Sequence, residues 1–132
     1  MADAAYVVNV GIDFIVDLIK AAGATEPKHI QWGTGGTGAA GEDTSIQTAA
    51  AEARTAGTTS VVATNTVDPI FDSYQVVGTI VCASTGKTIT EVALYTNATT
   101  GICFMHGTFT GLPLSVGDSV QFTIKNVFNQ AA

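Results

Sequence analysis

The stretch Ser73-Tyr-Gln-Val-Val-Gly-Thr-Ile-Val-Cys82 places Tyr74, Val76, Gly78, Ile80 and Cys82 on one side of an extended chain and Ser73, Gln75, Val77, Thr79 and Val81 on the other. A period of two held over this length specifies a half-buried strand. The same period returns at Val92 and Leu94, and again at Val120, Phe122 and Ile124. Ser84-Thr-Gly-Lys87 and Asn97-Ala-Thr-Thr-Gly101 separate these runs at hairpin lengths, and Leu112-Pro-Leu-Ser-Val-Gly-Asp118 is a longer turn that feeds Ser119–Phe128.

Upstream, Lys28–Trp32 reads as a short strand and Thr58–Val67 as another, broken by Val67-Asp-Pro69. The Ala-rich stretch Thr48–Arg54 fits either a short helix or an irregular connection. About seven strands are expected, and seven short alternating strands predict a mainly β chain: an antiparallel β-sandwich of jelly-roll or Greek-key type with one short N-terminal helix. Its core is expected at Ile80, Val92, Leu94, Phe104, Phe122 and Ile124, each worth about 1.5–3 kcal/mol when buried.

The helix is expected over Asn9–Ala22, where Ile12, Ile15, Val16 and Ile19 form a 3.6-period stripe opposite Asp13, Asp17 and Lys20. Asn9 caps its start, Gly23 suits its end, and Pro27 prevents continuation. Before it, Tyr6, Val7, Val8 and Val10 form a short extended arm. That arm either packs on its own core or docks on a neighbouring subunit by adding a strand. The chain of 132 residues is one domain's worth: an arm and helix over 1–24 and a sandwich over 25–132.

Only 12% of the residues are charged against 46% hydrophobic, so the surface is unusually neutral and suits cover by other subunits. The net charge of −6, with just Lys20, Lys28, Arg54, Lys87 and Lys125 as cations, argues against direct nucleic-acid binding. The N-terminal apolar stretch lacks a basic n-region and is interrupted by Asp13 and Asp17. Neither a signal peptide nor a membrane span is expected, and the chain is expected to stay in the cytoplasm where it is made. Cys82 and Cys103 sit in no metal-binding spacing and read as buried free thiols.

Gly33-Thr-Gly-Gly-Thr-Gly38 satisfies GxGxxG, but no helical stripe follows it, so together with Gly41 it reads as a flexible loop rather than a dinucleotide turn. Gly86-Lys-Thr88 lacks the glycine five positions earlier that a phosphate loop requires and reads as a hairpin turn. His29 and His106 have no second ligand at a chelating spacing and read as structural. Glu91, a lone carboxylate in an apolar-leaning strand, reads as a surface residue or a hydrogen-bond anchor. Asn97-Ala-Thr99 matches an N-glycosylation sequon that has no use without secretion. No catalytic residues, cofactor or metal are expected.

His29-Ile-Gln-Trp-Gly-Thr-Gly35, Ala53-Arg-Thr-Ala-Gly-Thr58, Tyr74-Gln-Val-Val-Gly-Thr-Ile80, Ile89-Thr-Glu-Val-Ala-Leu-Tyr95 and Gly117-Asp-Ser-Val-Gln-Phe-Thr-Ile124, in that order, resemble the capsid cement, or decoration, proteins of tailed bacteriophages. The likeness spans about Lys28 to Phe128. It implies a jelly-roll-like subunit without enzymatic activity on the outer capsid surface of the virion, assembled in the host cytoplasm. The implied partners are the major capsid protein and neighbouring copies of the chain, in a homo-oligomer on the capsid, with no nucleic acid and no membrane. Tyr6, Val8, Trp32, Gly35 and Gly36 are the expected assembly contacts. A tail or fibre component with a receptor-facing β-domain is the alternative. A small enzyme or ligand-binding barrel ranks last for want of a nucleophile–base pair.

Overall fold

A computed structural model describes residues 2–8, 10–11, 15, 25–62 and 73–127. Among them run eight strands: β1 (Ala2–Val7), β2 (His29–Gly33), β3 (Thr55–Ala56), β4 (Thr58–Val62), β5 (Ser73–Val81), β6 (Lys87–Tyr95), β7 (Cys103–Leu114) and β8 (Ser119–Val127). They form two antiparallel sheets, a larger one in the order β1-β7-β6-β2-β3 and a smaller one in the order β4-β5-β8. The expected mainly β sandwich is the observed architecture. Most of the helix expected over Asn9–Ala22 lies outside the described residues, as does the end of the strand expected through Val67.

The inner faces of both sheets meet in one apolar cluster. Ile30 and Trp32 of β2, Val76 and Ile80 of β5, Val92 and Leu94 of β6, Phe104 of β7 and Ile124 of β8 are all buried in it. Gly78 brings β5 so close to β2 that a Cβ there would lie 2.8 Å from Ile30 Cδ1. Five of the six expected core residues are buried. Phe122 is only part-buried, packed edge-on against Trp32 with ring centroids 6.4 Å apart, because it borders an open cleft.

One expectation about a connection is corrected. Ser84–Lys87 is not a hairpin turn, because β5 and β6 belong to different sheets, and the segment is a corner that carries the chain across the sandwich. Glu52 holds that corner, accepting hydrogen bonds from the Ala83 and Ser84 amides and from Lys87. The second corner, between β7 and β8, lies against it through Cys82 N–H to Asp118 O at 2.7 Å and Gly117 N–H to Cys82 O at 2.8 Å. Residues 97–101 do form the hairpin between β6 and β7.

Of the arm expected at Tyr6, Val7, Val8 and Val10, Tyr6 and Val7 are extended while Val10 is helical, and of its two readings the strand packs on its own chain. β1 lies antiparallel on the outer edge of β7, with Tyr6 opposite His106 and Val7 opposite Met105. Thr48–Arg54, left open by the sequence, is irregular rather than helical.

Candidate functional site

From Glu91 to Tyr95, β6 is buried on both faces, which a simple two-layer sandwich does not require. Glu91, Ala93 and Tyr95 point away from the inter-sheet core and are nonetheless covered. The cover is the long connection from β2 to β3, residues 34–54. Ile46 of that connection closes a second apolar cluster with Ala93, Tyr95 and Cys103. A register shift in the β6–β7 ladder at Leu94/Tyr95 lets Phe104 and Met105 both join the inner core while Cys103 and His106 serve the outer side.

At the centre of this outer layer, backbone amides converge on one carboxylate. Glu91 is fully buried and accepts from Gly35 N–H at 2.7 Å, Thr48 N–H at 2.8 Å and Gln47 N–H at 2.9 Å. Its Oε1 also lies 2.7 Å from His106 Nε2, and His106 Nδ1 lies 2.6 Å from Asp43 Oδ2. A neutral imidazole has one donor nitrogen, while two carboxylates offer acceptors only. The geometry is satisfied when both ring nitrogens carry protons, giving a carboxylate–imidazolium–carboxylate row.

Burial alone would raise the Glu91 carboxyl, but the Thr48 and Gln47 amides, the His106 ring and the Gly35 amide outweigh it and hold the group below its ordinary 4.5. Asp43 behaves alike: desolvation pushes upward, and the Ala40 amide and His106 bring it below 3.8. These groups are spent on the fold. With both nitrogens engaged and the ring fully buried, His106 has no free position from which to take a proton from a substrate.

The glycine-rich run acquires a physical meaning here. A Cβ on Gly35 would lie 2.6 Å from Gln47 Cβ and closer still to the Glu91 carboxylate, and one on Gly33 would lie 2.7 Å from that carboxylate. Gly33 and Gly35 therefore let backbone approach an anion, as in a phosphate loop, but the anion is the chain's own glutamate. Gly36 and Gly38 face open space.

The expectation of a flexible loop over Gly33–Gly41 is corrected accordingly. Besides the Glu91 bonds, Thr34 N–H donates to Thr48 O, Thr37 N–H to Gln47 Oε1, Ala40 N–H to Asp43 Oδ2 and Thr90 Oγ1–H to Gly35 O. Further along, Arg54 stacks 3.5 Å above the Tyr95 ring centre and donates to the Asn97 and Thr100 carbonyls, while Tyr95 Oη accepts from Ile46 N–H. Glu52 accepts from Trp32 Nε1 at 3.0 Å as well as from the corner at Ser84. What remains on the outside is a fixed polar surface of Thr34, Gly36, Thr37 and Gly38, all exposed.

The expected assembly contacts separate into distinct environments. Val8 and Trp32 are wholly buried within the chain and offer no surface to a partner, which corrects their assignment. Gly35 is buried under the Glu91 carboxylate, whereas Gly36 is exposed. Tyr6 contributes backbone pairing to β7. Cys82 and Cys103 are buried free thiols, and burial, with Asp43 nearby, pushes Cys103 up to about 11 against the opposing effects of Tyr95, Arg54 and the Met105 backbone. Among the described residues no group of His, Cys, Asp and Glu is arranged to hold a metal, and no helix is long and apolar enough to cross a membrane. Comparisons with protein-family models, with curated proteins and with solved structures find no match.

The Asp43–His106–Glu91 row was not legible as a unit. Its members lie 63 and 15 positions apart, and only a loop folded back over the sheet unites them. One signal was present: a glutamate within an apolar run on a strand, which the hydrogen-bond-anchor reading of Glu91 had included.

Proposed function

We propose that this chain is a virion structural protein, a capsid cement protein that binds the outside of a phage head and bridges major capsid protein subunits. The observation that carries this reading is the use of buried and part-buried charge. Glu91, His106, Asp43 and Glu52, the groups a reaction would recruit, hold a loop and a corner in place, and the outcome is a neutral polar surface of fixed shape. A surface already ordered before contact loses less entropy on binding. Contacts of modest area become strong when one subunit touches several capsid subunits, because each later contact is intramolecular.

The mechanism is mechanical. A subunit that binds the expanded lattice and not its precursor adds its binding free energy to the mature state alone. Shells carrying the chain are expected to release DNA at a higher temperature than shells stripped of it, and refilling stripped shells with purified chain restores the difference. Equal release temperatures with and without the chain, under conditions where binding is saturated, overturn this reading.

A further inference from the structure

Sheet edges present unpaired amides and carbonyls, and proteins that stay monomeric blunt them with short strands, bulges, proline or charge. Among the described residues two of the four sheet edges are blunted, β3 having two residues and β1 a register shift between Ala2 and Ala4, while β4 is described over five residues. β8 differs. It runs nine residues in unbroken register with β5, from Ser119 opposite Val81 to Val127 opposite Ser73, with no proline and with Lys125 as its one charged residue. Among the described residues no strand pairs with its other side.

Beside this edge lies an apolar cleft of about 460 Å³ between β7 and β8, bordered by Phe109, Leu112, Val120 and Phe122. The chain carries 11 acidic residues and a net charge of −6, yet the cleft lining contains Lys125 and no carboxylate. Two copies that repel one another elsewhere meet here without opposing carboxylates.

We propose that β8 pairs antiparallel with β8 of a second copy about a two-fold axis at Thr123, joining the two smaller sheets into one sheet of six strands. In this register Gln121 faces Lys125 and Ser119 faces Val127 on the outer side, while Phe122 faces Ile124 on the inner side. Parity is matched, so inner residues of one copy continue the inner face of the other. An aromatic side chain opposite a β-branched one is a favourable cross-strand pair, and no like charges are opposed. A two-fold contact of this kind closes on itself rather than propagating. The pairing goes beyond the shell-binding reading and stands or falls separately from it.

Sedimentation equilibrium on the full chain tests it, with circular dichroism showing that each variant is folded. The wild type is expected to be a reversible dimer. Thr123→Lys, at an exposed position on the outer face, sets two ammonium groups opposite each other at the axis and weakens the dimer by up to about fivefold. Gln121→Glu places a carboxylate opposite Lys125 twice and tightens it about two- to thirtyfold, although it makes the chain more negative. A strict monomer at every concentration, which leaves the edge to a foreign strand, overturns the proposal. So does a dimer indifferent to both substitutions, or a monomer whose outward β8 amides exchange as slowly as those of β5, which shows the edge covered from within the chain.

Discussion

Replacing Glu91 with Gln keeps the size of the side chain and removes what the site requires of it. In Glu91 one oxygen accepts from Gly35 and Thr48 and the other accepts from Gln47 and faces His106. An amide has one oxygen, so in either orientation its NH₂ group confronts two donors. Each buried donor left without an acceptor costs about 1–3 kcal/mol, and removing one partner from a buried charge pair costs about 3–5 kcal/mol. Gln47 and Thr48 lie on exposed residues where water can compensate in part, so a loss of about 3–5 kcal/mol in total is expected. For a chain of this length that is a fall in Tm of about 10–20 °C. Urea unfolding should show a lower midpoint with an unchanged slope, and hydrogen exchange should speed up at the Gly35, Gln47 and Thr48 amides before any other. A midpoint shift worth less than about 1 kcal/mol, or uniform exchange across the sheets, would refute the anchoring role.

The same groups set the acid response. Glu91 and Asp43 titrate below their ordinary values when folded, so their stabilisation is complete above about pH 4.5 and is lost as pH falls through the folded values; chemical denaturation from pH 7 down to 3 should show stability dropping below about pH 4, with a shallower drop in Glu91→Gln. Gly35→Ala should destabilise by several kcal/mol because its Cβ has no room, while Gly36→Ala should stay within about 0.5 kcal/mol; matching melts for the two would contradict the glycine reading. Phe122→Ala should cost about 2–3 kcal/mol, at the low end for a phenylalanine because the ring borders an open cleft, and a melt moved by less than 1 kcal/mol would remove it from the packing account. Neither Cys82 nor Cys103 should react with a thiol reagent in the native protein, and both should react once it is unfolded.

The sandwich was legible because alternation in Tyr74–Cys82 and Val120–Ile124 is a local signal that the tertiary structure reinforces. The described residues hold eight strands where about seven are expected, because Thr55–Ala56 is too brief to carry a period. The corner at Ser84–Lys87 was misread because turn length alone does not tell a hairpin from a crossing, and what decides it is Glu52, more than 30 positions away. The outer layer was illegible for a related reason. The glycine run reads as a flexible loop and Thr48–Arg54 as either a short helix or an irregular connection, yet the Gly35, Gln47 and Thr48 amides find an acceptor on β6, and low complexity in sequence gives no hint of a fixed path. Trp32, expected at a subunit contact, instead fills the inter-sheet core with its Nε1–H turned to Glu52.

That a neutral, pre-shaped β-module works by holding larger proteins together is tested most directly by counting it. Quantitative densitometry of purified phage particles carrying this chain, scaled to the major shell protein, should give hundreds of copies per particle, distributed over the head. A few dozen copies confined to the tail, or none in the mature particle, would contradict the account.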